Sequence, residues 1–225
     1  MKIGIGVTTY NRPECLKECL EYINKHTFMD NVTLYIATDT DGDRRGVAYR
    51  KNECLRALKD CDYIFLFDDD CFPIKDGWIE NWACRSYDNG MRTHFLYMDD
   101  KIHKLLFKYN SEFPSDYSCY TMCGGCFMAM SKKDIQMVGA FNEKFELYGF
   151  EHAEWSLRVE NNLGLVDVTK QMYYMLNNTS EFIYSHDYST PNHKSSISDE
   201  EKQKCIKNNW DKFFNSKINS VHLPL

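Results

Sequence analysis

The sequence predicts an α/β protein with a mostly parallel sheet flanked by helices. Three observations favour this class. Strand, helix, strand, helix and strand patterns follow one another within the first 67 residues. The third strand pattern is apolar at every position, which is typical of a strand buried on both faces of a parallel sheet. A polar cluster follows each of the three strands.

The first strand–helix unit begins with residues 2–7 (KIGIGV), a short apolar run that predicts a buried strand. Pro13 suits the first turn of the helix that follows, and Thr9 or Asn11 is placed to cap it. The helix itself is predicted by apolar residues spaced at i, i+3, i+4 and i+7. These residues are Leu16, Cys19, Leu20 and Ile23.

The second unit repeats this arrangement. Residues 32–37 (VTLYIA) predict a strand, and residues 63–67 (YIFLF) predict the third strand. The helix between them is marked by Val47, Cys54, Leu55 and Leu58. Because crossovers between parallel strands are right-handed, these three strands form a half-sheet of the kind that commonly binds nucleotides.

The second half of the chain is less regular. Its patterns predict helices at residues 77–85, 132–138, 153–161 and 199–214, and a strand at residues 126–130. Residues 98–119 are aromatic and charged without a clear period, and we interpret them as a substrate loop. No linker-like segment divides the chain, so we expect a single domain over residues 1–225.

Composition excludes several classes of protein. The chain has 225 residues, 43% of them hydrophobic, which is enough for a globular core. Its net charge of −6 argues against generic nucleic-acid binding. No apolar run is long enough for a membrane span, and the first residues turn polar too early for a signal peptide. We therefore expect a cytoplasmic protein whose ten cysteines are reduced thiols.

The polar clusters after the strands predict a single crevice. Residues 8–12, 39–43 and 68–70 all follow strands, and ligands of parallel sheets bind at the carboxyl ends of the strands. Residues 68–70 are three adjacent aspartates, which repel one another unless a positive charge neutralises them. A divalent metal bridging to a diphosphate would do so, and oxygen ligands suit Mg²⁺ or Mn²⁺. The alternative is a solvated acidic turn.

These segments, in this order, resemble the glycosyltransferases of the GT-A fold, particularly the large inverting family 2. On the donor side the resemblance rests on residues 5–12 (IGVTTYNR), 38–39 (TD), 46–52 (GVAYRKN) and 68–73 (DDDCFP). On the acceptor side it rests on residues 124–130 (GGCFMAM), 138–142 (VGAFN) and 148–154 (YGFEHAE). The likeness covers residues 3 to about 160.

The resemblance implies a fold and a separate role for each half of the chain. It implies a Rossmann-like sheet with a smaller sheet on the acceptor side. The nucleotide-sugar-binding half would comprise residues 1–100, and the acceptor-binding half residues 101–225.

The resemblance also implies roles for individual residues. The nucleotide pocket would be lined by Thr8, Thr9, Tyr10 and Arg12. Asp39 would bind the base, and Arg50 lies in the segment near the diphosphate. Asp68 and Asp69 would lie by the ribose and the metal, Mn²⁺ or Mg²⁺, with Asp70 as the direct ligand and His186 completing the metal shell.

The catalytic base is expected at Glu151 and His152. Many relatives have Glu-Asp at these positions, and the aspartate is their candidate base, whereas this chain has a histidine there. Either His152 deprotonates the acceptor hydroxyl, or Glu151 does so and His152 positions the substrate.

The sequence therefore predicts a metal-dependent glycosyltransferase that uses a nucleotide-diphosphate sugar, most simply a UDP-sugar, and a glycan or other hydroxyl acceptor. One alternative is an inactive sugar-nucleotide or glycan-binding module. Another is a sugar nucleotidyltransferase, but that class needs a glycine-rich basic loop after the first strand, and this chain has VTTYNRPE there.

Overall fold

The computed structural model describes residues 1–85, 95–96, 105–108, 117–120, 125–162, 173–176, 182–186, 195–215 and 222–225. The strands are β1 (Ile3–Tyr10), β2 (Val32–Asp39), β3 (Tyr63–Asp68), β4 (Cys71–Pro73), β5 (Phe95–Leu96), β6 (Leu105–Lys108), β7 (Tyr117–Tyr120), β8 (Phe127–Ser131), β9 (Tyr173–Leu176) and β10 (Ile183–Ser185). The helices are α1 (Pro13–His26), α2 (Val47–Ala57), α3 (Trp78–Arg85), α4 (Lys132–Val138), α5 (Glu151–Asn162) and α6 (Asp199–Asn215), with a 3₁₀ turn at Met29–Asn31.

The main sheet has the strand order β2-β1-β3-β8-β5. Strand β1 pairs parallel with both β2 and β3, which confirms the predicted half-sheet. The strand β8 adds to β3 in the antiparallel direction. Each of the three parallel strands continues one to three residues beyond its apolar run, so Thr8, Asp39 and Asp68 lie within the strands at one edge of the sheet.

The start of α1 differs from the prediction in one respect. The helix begins at Pro13, as expected, but Arg12 is the cap residue and no side chain caps it. The prediction that Thr9 or Asn11 caps this helix is therefore wrong. The physical reason is that both side chains bind aspartates instead, Thr9 to Asp69 and Asn11 to Asp41.

The helices of the second half lie close to their predicted positions. Helix α4 has the predicted bounds, and a capping box of Ser131 and Asp134 fixes its start. Helix α5 begins at Glu151, two residues earlier than predicted, so Glu151 and His152 belong to its first turn. Further along α5, Arg158 forms a buried ion pair with Glu154, with 2.8 Å between Nε and Oε1.

Two smaller sheets accompany the main one. Strands β6, β7 and β9 form a three-stranded antiparallel sheet, so the prediction of a smaller second sheet is confirmed. The predicted substrate loop at residues 98–119 contains β6 and part of β7, and the rest of that segment lies outside the described residues. Strands β4 and β10 form a two-stranded sheet directly after the three aspartates.

Among the residues that the structure describes, the buried apolar side chains form two clusters. One includes Trp78 and Trp82 of α3 packed against the phenylalanines of β3 and β8, and the other joins α2, α4, α5 and α6. The seven cysteines with described side chains are free thiols. Within the described part of the chain, no helix combines the length and the apolar character that a bilayer crossing needs.

Candidate functional site

Three aspartates lie where β3 ends and the chain turns into β4. The amide N–H of Asp68 donates to the carbonyl of Cys126, just before β8, at 2.8 Å, and that of Asp69 donates to the Thr8 carbonyl on β1 at 3.1 Å. These backbone bonds fix the turn to both neighbouring strands. The triplet is therefore held at the edge of the sheet that the sequence predicted.

Residues at the end of β1 bind each of these carboxylates. The hydroxyl of Thr8 donates to Asp68 at 2.9 Å, and that of Thr9 donates to Asp69 at 2.5 Å. The guanidinium of Arg12 donates to Asp70 at 2.7 Å and also binds Asp69. The structure thus brings together three of the four residues predicted for the nucleotide pocket with all three aspartates.

The three aspartates differ in their access to solvent. The side chain of Asp69 is fully buried, whereas those of Asp68 and Asp70 are 29% and 14% exposed. Burial and the neighbouring carboxylates raise the pKa of Asp69 to about 7, although Arg12 opposes them. The two outer carboxylates can therefore reach a ligand, while the middle one holds the turn.

Tyr10, the fourth residue predicted for the nucleotide pocket, is the last residue of β1 and contacts the donor-side loop that follows β2. Its hydroxyl donates to Asp41 at 2.7 Å, and the guanidinium of Arg44 lies 4.7 Å from the centre of its ring. Arg44 in turn forms an ion pair with Glu201 of α6 at 2.6 Å. The C-terminal helix is thereby tied to this loop.

Asp39 and Arg50 contact each other. The carboxylate of Asp39 is buried and accepts the backbone N–H groups of Arg45 and Gly46 at 2.7 and 2.9 Å. It also accepts the Nε–H of Arg50 at 3.1 Å. In this arrangement Asp39 shapes the loop before α2.

Lys51 is a site residue that the sequence analysis missed. It lies on α2, its side chain is 1% exposed, and its Nζ donates to the Gly125 carbonyl at 2.9 Å. The same Nζ lies 3.3 Å from Oε1 of Glu151 and 3.9 Å from Oδ1 of Asp68. One buried cation therefore joins the aspartate triplet to the candidate base.

Glu151 and His152 contact each other in the first turn of α5. Nδ1 of His152 lies 3.2 Å from Oε1 of Glu151, and the side chains are 17% and 5% exposed. Burial opposes ionisation of Glu151, but the charges of Lys51 and His152 prevail and hold its pKa well below the usual range. Glu151 is thus a buried carboxylate with two cationic or proton-donating partners. The side chain of His152 is more accessible to solvent than that of Glu151.

The backbone of His186 contacts the aspartate triplet. Its amide N–H donates to the Asp70 carbonyl at 2.9 Å, because β10 pairs with β4. Its ring is turned towards α1, where Nε2 lies 3.2 Å from Oε2 of Glu18. Within the ranges that the structure describes, no three His, Cys, Asp or Glu side chains are grouped as a ready metal site.

The comparisons with known proteins bear on this arrangement. No family model matches the chain. An uncharacterised glycosyltransferase of Acanthamoeba polyphaga mimivirus, R363, is 27% identical over 220 residues, covering 83% of this chain and 82% of that protein.

Solved structures share the architecture. S. aureus TarS aligns with a TM-score of 0.58 at 11% sequence identity over 96% of this chain. The structure of GalNAc-T7 with UDP, GalNAc and Mn²⁺ aligns with a TM-score of 0.54 at 10% sequence identity over 79% of this chain. The chain has the GT-A fold. This confirms the predicted fold class and the resemblance to GT-A glycosyltransferases. The chain spans 44% and 42% of the length of those two structures.

The GT-A fold accounts for the position of the site but not for all its members. The aspartate triplet and the Glu151–His152 pair were readable as sequence motifs. Lys51 was readable in principle, because it lies four residues after Val47 and four before Leu55, on the helical stripe that should be apolar. A lysine on such a stripe needs a buried partner, and its partners here are carboxylates.

Proposed function

We propose that this protein is a metal-dependent glycosyltransferase that moves a sugar from a nucleotide-diphosphate donor, a UDP-sugar, to the hydroxyl of a glycan or other acceptor, and that it acts in the cytoplasm. One observation carries the proposal. A buried lysine links an acidic triplet at the ligand-binding edge of a parallel sheet to a carboxylate–histidine pair. On this proposal, the donor site and the acceptor site share one cluster of charged side chains.

The charges of this cluster support a divalent cation. With His152 neutral, as the proposed base must be, ionised Asp68, Asp69, Asp70 and Glu151 carry four negative charges, against two positive charges on Arg12 and Lys51. Two negative charges are left, which a divalent cation would balance. Burial is the main cause of the raised pKa of Asp69, and the charges of Asp70 and Asp68 add to it.

The residues present fit such a cation. Asp68 and Asp70 offer the partly exposed oxygens that Mn²⁺ and Mg²⁺ prefer, and we assign the metal to them. His186 is next to Asp70, and its imidazole would have to leave Glu18 to join them. A bound metal would neutralise the charge that develops on the departing diphosphate.

We assign Arg12 and the loop before α2 to binding the nucleotide-sugar donor. Arg12 holds Asp69 and Asp70 in place and leaves a positive charge beside the carboxylates that face the ligand. Asp39 and Arg50 order the segment at residues 43–46, at the same edge of the sheet. We assign the base and ribose of the nucleotide to this region, between the ends of β1 and β2.

His152 is the better candidate for the base. With its Nδ1–H donated to Glu151, its Nε2 keeps a lone pair that can accept a proton. Glu151 is a poor proton acceptor because Lys51 and His152 already stabilise its ionised form. We assign Glu151 to orienting the imidazole, in the way that a carboxylate orients the histidine of a catalytic triad.

The proposed reaction is a displacement at the anomeric carbon. The proton of the acceptor hydroxyl moves to Nε2 of His152 as the acceptor oxygen forms its bond to the sugar. The bond between the anomeric carbon and the diphosphate oxygen breaks, and the electron pair leaves with the nucleoside diphosphate. Arg12 lies where it can stabilise that leaving charge.

A titration with UDP, with and without Mn²⁺, followed by a donor-hydrolysis assay over a panel of UDP-sugars, tests this function. We expect UDP to bind more tightly with Mn²⁺, and at least one UDP-sugar to be hydrolysed in a metal-dependent way. Metal-independent binding without hydrolysis would instead favour an inactive sugar-nucleotide-binding module. Hydrolysis that persists in excess chelator would contradict the metal dependence.

Gly125 leads to a prediction about His152. A Cβ at residue 125 would lie 2.7 Å from Nδ1 and 2.8 Å from Cγ of His152, so Gly125→Ala must displace the imidazole. We expect the transfer rate to fall by about 10- to 100-fold, since small misplacements of a catalytic group have effects of this size. Steady-state rates and UDP affinity are the measurements, and the affinity should not change.

Asp60→Ala is the control, because Asp60 is exposed at a turn outside the proposed nucleotide pocket. It should keep the transfer rate. If Gly125→Ala also keeps the wild-type rate, His152 is not the base.

A further inference from the structure

A short loop, residues 146–150, leads directly into Glu151 and His152. Three of its five residues have positive φ: Leu147 at 53°, Gly149 at 95° and Phe150 at 71°. Two of these are not glycine, and bulky side chains rarely adopt this conformation. Such a conformation persists only where the surroundings impose it.

One side of the loop is held by the start of α2. The Val47 N–H donates to the Leu147 carbonyl at 3.0 Å. Gly46 packs so closely that a Cβ there would lie 2.6 Å from Cα of Leu147. The donor-side segment that carries Arg50 and Lys51 is thus in direct backbone contact with this loop.

The other side of the loop is held by Asn209 of α6. The side chain of Asn209 is fully buried, and its Nδ2 donates to the carbonyls of Glu146, Tyr148 and Gly149 at 3.0, 2.9 and 3.1 Å. Asn209 lies on the buried stripe of α6, four residues after Cys205 and four before Phe213. Burying an amide N–H group on an otherwise apolar stripe is costly unless it donates a hydrogen bond, and here the loop carbonyls accept from Nδ2.

We infer that Asn209 is a positioning residue, which fixes the loop at residues 146–150 and thereby places Glu151 and His152 relative to the donor. This inference rests on the proposed function, because it concerns the orientation of the proposed base. Asn209 lies beyond residue 160, outside the segments that resemble the glycosyltransferases. The same helix reaches the donor-side loop through Glu201 and Arg44.

Asn209→Asp tests the inference most directly. A carboxylate has no hydrogen to donate and would repel three carbonyl oxygens. We expect kcat for donor hydrolysis to fall by about 100-fold, because the base is displaced. We expect KM for the donor and the affinity for UDP to stay within twofold. The matched control is Asn208→Asp, the same change at the exposed neighbouring residue, which should match the wild type.

Asn209→Ala is the second variant, for the case in which Asn209→Asp does not fold. It removes the donors without adding a charge, and we expect kcat to fall while UDP affinity is kept. Amide hydrogen exchange provides a readout that does not depend on activity. In Asn209→Ala, exchange should rise at residues 146–152 and stay unchanged in β1 and β3.

The outcomes separate the two proposals. A wild-type protein that binds UDP but hydrolyses no donor would overturn the proposed function, and the positioning role with it. An active wild type with wild-type kcat in Asn209→Ala, or with unchanged exchange at residues 146–152, would overturn the inference alone. Parallel losses of kcat and UDP affinity would show a general structural role and would also overturn it.

Discussion

Asp70→Asn lowers the sugar-transfer rate by about 100- to 1,000-fold, the loss expected when one charged group that stabilises a transition state is removed. The substitution keeps the size of the side chain and removes its charge. Arg12 then loses one of its two carboxylate partners, and the metal loses one of its two proposed ligands. The rate should be measured across a range of Mn²⁺ concentrations, where the variant should need more metal for half-maximal activity.

The control for this variant is Asp60→Asn, which makes the same change at an exposed turn. It should show the wild-type rate and the wild-type response to Mn²⁺. If Asp70→Asn retains full activity at limiting Mn²⁺, the assignment of the metal to the acidic triplet is wrong.

Lys51→Met lowers the free energy of unfolding by about 3–5 kcal/mol at pH 7, the usual cost of removing one partner from a buried ion pair. The methionine fits the buried stem of the lysine but leaves Glu151 and Asp68 without their shared cation. Chemical denaturation at several pH values is the measurement.

The effect of Lys51→Met should depend on pH in a defined direction. In the wild type, the folded pKa of Glu151 lies below its unfolded value. The stability from its ionisation is therefore present above the unfolded pKa and is lost as the pH falls through the folded pKa. The difference in the free energy of unfolding between the wild type and the variant should be largest near pH 7. It should decrease as the pH falls below about 4.3, the ordinary pKa of glutamate.

Two comparisons complete this experiment. Lys59→Met removes an exposed lysine just after α2 and should have little effect on stability. The double variant Lys51→Met, Glu151→Gln removes the stranded charge and should recover part of the lost stability. If the double variant is no more stable than Lys51→Met alone, the ion pair is not the source of the effect.

The donor side of this site was predictable because its signals are local. The apolar runs that precede Thr8 and Asp68 define parallel strands, and parallel strands place the residues at their carboxyl ends along one edge of the sheet. The early start of α5 was less predictable. Its first turn depends on the preceding loop, whose positive φ values at Leu147 and Phe150 have no signature in those residue types.

The connections between the two halves were not predicted, because they join residues far apart in sequence. The Nζ of Lys51 bonds to Glu151 across 100 positions, and the amide of Asn209 bonds to loop carbonyls about 60 positions away. Each residue lies on the buried stripe of its helix, so its unusual position could be read from the sequence. The groups that accept the hydrogen bonds of Lys51 and Asn209 could not be predicted, because they depend on how the helices pack.

The placement of α6 has a consequence for how the protein becomes active during synthesis. The strands that carry the donor residues are complete by residue 68, whereas Asn209 emerges from the ribosome about 140 residues later. Nascent chains that already include β8 but not yet α6 would therefore hold the proposed donor residues before the loop at residues 146–150 is fixed. On the proposed function, donor binding would then precede turnover during translation, because the proposed active arrangement also needs the contacts of α6 with this loop.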